Sequence, residues 1–180
     1  MRLFIAIEFP DSVKAELEKG AILLRGSCIG GTFSQRDNYH ITLAFLGEVP
    51  PERVGDITDA MDSCVCRPIP LSIGPLGSFG HNGGGVIWRA IRAPGSLAQL
   101  RQRLAEALRT KGFALEEEKE FRPHLTIARQ AVLHEGARLD ALSQMLPDLE
   151  YTAASITLMC SGRIGGRLTY TPVYQAAFRE

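Results

Sequence analysis

The sequence lacks the marks of most specialised protein classes. Its 180 residues hold one tryptophan and four cysteines, with 20 basic and 20 acidic residues that cancel to zero net charge. No apolar run approaches the ~20 residues that a membrane-spanning helix needs. The opening stretch Met1–Ile7 meets Glu8 too early for the apolar core of a signal peptide, and no small-residue cleavage site follows. Low-complexity tracts are missing too. These absences argue against a disordered, fibrous or membrane-embedded chain. The expectation is a soluble, cytoplasmic monomer. Zero net charge also argues against coating nucleic acid by bulk electrostatics, although it leaves recognition of a nucleic-acid end or a nucleotide open. The charge is mildly uneven: residues 1–84 carry 7 basic and 10 acidic side chains, and residues 85–180 carry 13 and 10. The second half is the side better suited to an anion.

Cysteine chemistry is equally sparse. Cys28, Cys64, Cys66 and Cys160 form no Cys-x-x-Cys pair, and Cys64-x-Cys66 has no second pair or nearby histidine to complete a metal site. They read as reduced thiols in a cytoplasmic protein. No His/Asp/Glu cluster has metal-ligand spacing, so neither metal nor cofactor is expected.

What the sequence does have is a 45% hydrophobic, 22% charged composition that supports an ordinary core, and an internal repeat. Offset by 84 positions, Phe4-Ile5-Ala6-Ile7-Glu8-Phe9-Pro10-Asp11-Ser12 falls on Trp88-Arg89-Ala90-Ile91-Arg92-Ala93-Pro94-Gly95-Ser96. Without a gap, His40-Ile41-Thr42-Leu43-Ala44 then falls on His124-Leu125-Thr126-Ile127-Ala128. Two copies are too few for a solenoid and imply a duplicated lobe with an approximate two-fold axis.

Each copy reads strand, helix, strand. Leu3–Phe9 and Val86–Ala93 are apolar strands ending at a proline. Asp11 or Ser12, and then Ser96, offer helix N-cap oxygens. Val13, Leu17, Ala21 and Leu24 share one helical face, as do Leu97, Leu100, Leu104 and Leu108. Gly20 weakens the first helix by ~1 kcal/mol relative to alanine, and Gly112 is a stop for the second. Further helices fit Pro51–Cys64 and the stretch carrying Leu139, Leu142 and Met145. Further strands fit Ile69–Ile73, Tyr151–Met159 and Leu168–Ala177, with a hairpin turn at Gly162–Gly166. The expected fold is α+β: two pseudo-symmetric lobes, each an antiparallel sheet with outer helices, around a central cleft. Residues 1–180 then form one bilobal domain whose repeats run roughly over 2–66 and 86–150.

The candidate chemistry sits in the repeat. His40 and His124 each have a threonine two residues later; His81 and His134 do not. Strand residues i and i+2 share a face. Strict alternation places His40, Thr42 and Ala44 on one face, and His124, Thr126 and Ala128 on the corresponding one. One His-x-Thr tripeptide says little; two in register within a duplicated lobe define a cleft with paired imidazoles and hydroxyls. This set suits phosphoryl chemistry on a cyclic phosphate. A neutral imidazole takes a proton from water, a protonated one gives a proton to the leaving oxygen, and the hydroxyls donate to phosphate oxygens. The near-symmetry of the motifs leaves open which histidine does which.

Two longer stretches, His40-Ile41-Thr42-Leu43-Ala44-Phe45-Leu46-Gly47-Glu48-Val49 and Phe121-Arg122-Pro123-His124-Leu125-Thr126-Ile127-Ala128-Arg129, resemble the paired motifs of the two-histidine phosphoesterases. The RNA 2′,3′-cyclic phosphodiesterase branch, often labelled 2′–5′ RNA ligase, is the nearest in kind. The opening Arg2–Ile7, the strand Val86-Ile87-Trp88, and Ser161 followed by Gly166–Tyr170 are similar to it as well. The resemblance implies metal-independent hydrolysis of a terminal 2′,3′-cyclic phosphate to a 2′-phosphate, with His40 as proton donor and His124 as proton acceptor. It implies nucleotide contacts from Arg129 and Phe45, and Arg122 is a second phosphate candidate. Strict alternation opposes the first two, since both have the wrong parity, and a bulge or strand end must re-aim them. The same cleft would fit ADP-ribose 1″,2″-cyclic phosphate, a 2′–5′-linked oligonucleotide, or an RNA end bound without turnover. Other features read as bland: His81-Asn82-Gly83-Gly84-Gly85 as a turn without the lysine of a phosphate-binding loop, His134 as solvated surface, and Glu116-Glu117-Glu118-Lys119-Glu120 as an exposed charged loop.

Overall fold

In the computed structural model, residues 1–80, 85–115 and 121–179 are described. The stretch His81–Gly84, the acidic run Glu116–Glu120 and Glu180 lie outside them. In chain order the elements are β1 (Arg2–Glu8), α1 (Asp11–Gly26), β2 (Cys28–Phe33), β3 (His40–Glu48) and α2 (Val54–Ser63), which follows a 3₁₀ turn at Pro51–Arg53. Then come β4 (Ile69–Phe79), β5 (Gly85–Arg92), α3 (Gly95–Thr110), β6 (His124–Leu133), α4 (Leu139–Gln144), β7 (Leu149–Ala153), β8 (Ser155–Ile164) and β9 (Arg167–Ala177).

Every strand pairing is antiparallel. The strands form a four-stranded sheet, β3-β1-β8-β9, and a five-stranded sheet, β2-β6-β5-β4-β7. This is the α+β arrangement expected from the repeat, with one exchange that local periodicity does not reveal. β4 and β8 occupy the same 84-residue register, yet β4 pairs with β5 and β8 pairs with β1. Each copy therefore donates a strand to the sheet of the other. The expected strand Tyr151–Met159 is divided accordingly. Residues up to Ala153 pair with β4, and those from Ser155 onward pair with β1 and β9.

Alternation along the central strands separates two faces. Leu3, Ile5 and Ile7 of β1 join Leu17 and Leu24 of α1, Ile57 and Met61 of α2, and all four leucines of α3 in one continuous core. Leu97, Leu100, Leu104 and Leu108 are each at most 1% exposed; burying a leucine is worth about 1.5–3 kcal/mol. On the opposite face, Phe4 and Ala6 form a small cluster with Met159 and Tyr170, which becomes the floor of the cleft. One buried charge crosses the core side: Arg89 donates to the carbonyl oxygens of Gly74, Ile73 and Pro147. These bonds satisfy its guanidinium and brace the irregular stretch of β4.

Several local expectations change. Neither Asp11, Ser12 nor Ser96 caps its helix. Pro10 and Pro94 hold the N-cap positions without a side-chain hydrogen bond, because their fixed φ suits the turn into the helix. Gly20 is buried in α1, and the close approach of Leu146, whose Cδ2 would stand 3.2 Å from an added Cβ, favours glycine there. Met145 is 64% exposed, since α4 ends at Gln144, whereas Leu142 is buried and Leu139 packs against the core from its edge. β4 runs on to Phe79, well past Ile73, and the β8–β9 hairpin turns at Gly165 and Gly166 with φ of 57° and 78°, the left-handed values that a two-residue hairpin requires. Among the described residues, no helix is long and apolar enough to cross a membrane.

Candidate active site

His40 opens β3 and His124 opens β6, the strands that flank β1 and β5. Paired residues in a ladder share a face, so the registers Glu8↔His40, Ala6↔Thr42, Ala90↔His124 and Trp88↔Thr126 put both His-x-Thr pairs opposite the main core. Thr42 and His124 line one cavity, so the two pairs face a shared cleft, and His124 is near enough to His40 to act on it electrostatically.

Each ring is oriented the same way. His40 Nδ1–H donates to the Asn38 carbonyl oxygen at 2.7 Å, and His124 Nδ1–H donates to the Arg122 carbonyl oxygen at 2.8 Å. A carbonyl only accepts, so the proton of each neutral ring resides on Nδ1, leaving Nε2 for chemistry. Thr42 Oγ1 lies 3.0 Å from His40 Nε2 and donates to it while the ring is neutral. Burial pushes the His40 imidazole below its ordinary value; the bond to Asn38 opposes this, and the charges of Arg129 and His124 add to it.

A bulge after each threonine answers the parity objection. β1 pairs through Ala6↔Thr42, then Ile5↔Ala44 and Phe4↔Phe45, so Leu43 is the extra residue. β5 pairs through Trp88↔Thr126 and then Ile87↔Ala128, so Ile127 is the extra residue. Past the bulges, Ala44 and Ala128 sit on the core face, contrary to strict alternation. Phe45 and Arg129 are turned onto the cleft face. Phe45 is 41% exposed with the Arg2 guanidinium 5.1 Å from its ring centroid. Gln130, next to Arg129, has φ of 51°, a left-handed value that marks a second irregularity in β6. Arg122 stands beside His124 through its carbonyl and lines the cavity that opens at Thr42 and His124.

Other cleft residues carry no motif. Phe4 and Tyr170 hold the His40 ring, with centroids 5.0 and 5.2 Å away. Phe79 and Trp88 hold the His124 ring at 5.2 and 6.1 Å. Trp88 occupies the place that Phe4 has in the other copy, a correspondence already present in the 84-residue register. Gly77 lets the indole lie flat, because a Cβ there would fall 2.3 Å from Trp88 Cη2. Asn38 ties the first histidine to the exchanged hairpin. Its Nδ2 donates to Leu168 O at 2.8 Å, and its Oδ1 accepts from Tyr170 N–H at 3.3 Å. Among the described residues, no group of three or more His, Cys, Asp or Glu side chains is placed to hold a metal ion; His134 is exposed just after β6, where its backbone N–H donates to the Ser27 carbonyl oxygen.

Two antiparallel sheets that each present a His-x-Thr pair to a shared cleft define a two-histidine phosphoesterase. Within that class the chain belongs to the 2′-5′ RNA ligase superfamily, whose family model matches residues 10–163. A curated relative from Archaeoglobus fulgidus, named RNA 2′,3′-cyclic phosphodiesterase, is 33% identical over 131 residues, which is 72% of each chain. One of the same name from Geobacillus stearothermophilus is 32% identical over 130 residues; the match covers 71% of this chain and 41% of that relative. The crystal structure of Escherichia coli LigT complexed with 3′-AMP superposes with a TM-score of 0.76 at 26% identity, over 99% of this chain and 98% of that one.

Proposed function

We propose that this chain is an RNA 2′,3′-cyclic phosphodiesterase that opens a terminal 2′,3′-cyclic phosphate to a 2′-phosphate without a metal ion. One observation carries the reading. Two imidazoles share a cleft, and each has its Nδ1 proton anchored on the carbonyl two residues upstream, so that Nε2 is left to react. The names of the relatives point to the same substrate class, and the LigT structure holds a nucleotide monophosphate.

In this reading His124 Nε2 accepts a proton from water as the water oxygen bonds to phosphorus. The bond from phosphorus to O3′ breaks, and His40 Nε2 gives its proton to that oxygen. Thr42 and Thr126 donate to the non-bridging oxygens, and Arg129 balances the charge that grows there. Burial favours neutral His40 in the empty cleft. The phosphate anion opposes that effect, so the acid is charged most fully when substrate is bound. Phe45 lines the base pocket, and Arg122 supports the phosphate. With a 5′-hydroxyl in place of water as the nucleophile, the same acid–base pair in the same roles joins a 2′,3′-cyclic end to that hydroxyl, so weak 2′–5′ ligation accompanies hydrolysis. Residues 1–180 work as one bilobal unit, since each sheet contains a strand of the other copy. We assign a monomer to the cytoplasm, in keeping with four unpaired cysteines. Turnover of cytidine 2′,3′-cyclic phosphate by the wild type, and its loss in His40→Ala and His124→Ala, tests the assignment.

A further inference from the structure

Asn38 ends the 3₁₀ turn Arg36–Asn38, two residues before His40, and is 9% exposed. It faces β9, an outer strand of its sheet, whose Leu168 and Tyr170, two apart, turn a C=O and an N–H to the same side. The Asn38 carboxamide meets both: Nδ2 donates to Leu168 O at 2.8 Å, and Oδ1 accepts from Tyr170 N–H at 3.3 Å. A carboxamide has the donor and the acceptor of a peptide unit, so Asn38 extends the edge of β9 as a neighbouring strand would. Asn38 also stands just before β3, the other outer strand of that sheet, so its side chain joins the two edges. The Tyr170 ring brought in by this contact is edge-on to the His40 imidazole, at 5.2 Å and 89°, and edge-on to Phe4 at 4.8 Å. The backbone carbonyl of Asn38 meanwhile accepts from His40 Nδ1–H. At the matching place in the second copy, 84 residues on, Arg122 supplies the carbonyl for His124, but its side chain lines the cavity. The copies share the carbonyl and differ in the side chain behind it.

We infer that Asn38 is a positioning residue for the acid step: its carbonyl fixes the Nδ1 proton of His40, and its carboxamide keeps the Tyr170 ring against the imidazole, so that Nε2 stays aimed at the leaving oxygen. The inference rests on the phosphodiesterase reading above and deepens it. Proton transfer needs Nε2 within hydrogen-bond reach of that oxygen, and a displacement of about 1 Å can cost about 10²-fold in rate. Asn38→Leu keeps a side chain of similar size, removes both of its bonds to β9 and leaves the carbonyl in place.

The test sets cytidine 2′,3′-cyclic phosphate against its analogue with sulfur in place of O3′, which departs without a proton. Asn38→Leu lowers kcat on the oxygen ester by about 10–100-fold and stays within about threefold of the wild type on the sulfur ester. Tyr170→Leu, which keeps the backbone partners of Asn38, shows the same split. The double variant is at most about threefold worse than the poorer single one, because the two side chains act as a unit. Tyr170→Leu carries the test alone if Asn38→Leu does not fold. A merely structural Asn38 gives equal losses on both esters, and that result, or a wild-type rate on the oxygen ester, overturns the inference. Sulfur rescue of His124→Ala in place of His40→Ala overturns it too, since His40 would then be the base, and leaves the phosphodiesterase reading intact. If the wild type turns over neither ester, that reading falls and takes the inference with it.

Discussion

Phe45 and Arg129 hold equivalent places in the two copies, and each returns to the cleft face because the residue two before it, Leu43 or Ile127, is extra in its ladder. One side of the cleft thereby gains a ring and the other a guanidinium, which breaks the symmetry of two otherwise matched motifs. Arg129 also lowers the pKa of His40. Replacing Arg129 with alanine is expected to reduce kcat/KM by about 10–100-fold, the loss of one or two charge-assisted hydrogen bonds. It is also expected to raise the His40 pKa in an NMR titration of the free protein. An unchanged pKa would place the guanidinium elsewhere.

The sole tryptophan reports on the second motif. Gly77→Ala puts a Cβ where the Trp88 indole lies, so the ring must swing out from beside His124. The expected result is a shifted emission maximum and roughly a tenfold fall in kcat/KM, with far-UV circular dichroism unchanged. Wild-type emission in this variant would contradict the packing.

The histidine roles separate with a modified leaving group. Sulfur in place of O3′ departs readily without a proton. It should restore His40→Ala, whose defect is the missing acid, and leave His124→Ala inactive for want of a base. On the natural substrate each change should cost about 10²–10⁴ in rate, and the double change less than their product. Rescue of His124→Ala would swap the two roles.

The depressed pKa of His40 also sets a pH dependence of stability. An imidazole harder to protonate in the folded state than in the unfolded one gives the unfolded chain the greater proton uptake. Stability tied to neutral His40 is therefore fully present above about pH 6.5, the unfolded value, and is lost as pH falls through the lower folded value. Urea unfolding at pH 7 and pH 5 should show a smaller difference for His40→Asn than for the wild type. An equal or larger difference would place the pH sensitivity elsewhere.

Much of this was legible in the sequence, for a physical reason. Duplication fixes the 84-residue register, and within it a histidine and a threonine two apart must share a strand face, so the side of the sheet that each pair occupies follows from alternation alone. The α3 leucines followed from helical periodicity in the same way. The need for a bulge or strand end was legible from the parity of Phe45 and Arg129, but its position was not: Leu43 and Ile127 are ordinary apolar strand residues, and only the ladder to β1 or β5 shows that each is extra. Nor was the exchange of β4 and β8, because pairing partners distant in sequence are chosen by tertiary packing and not by local pattern. Asn38 escaped notice because its role lies in bonds to Leu168 and Tyr170, about 130 residues away.

Whether the paired imidazoles carry the reaction unaided is decided by phosphorus NMR of cytidine 2′,3′-cyclic phosphate incubated with the protein in EDTA. The expected outcome is cytidine 2′-phosphate as the product, formed at the same rate with and without chelator, and no product from His40→Ala or His124→Ala. A 3′-phosphate product would contradict O3′ as the leaving oxygen, and activity that disappears in EDTA and returns with a divalent ion would contradict metal-free two-histidine catalysis in this cleft.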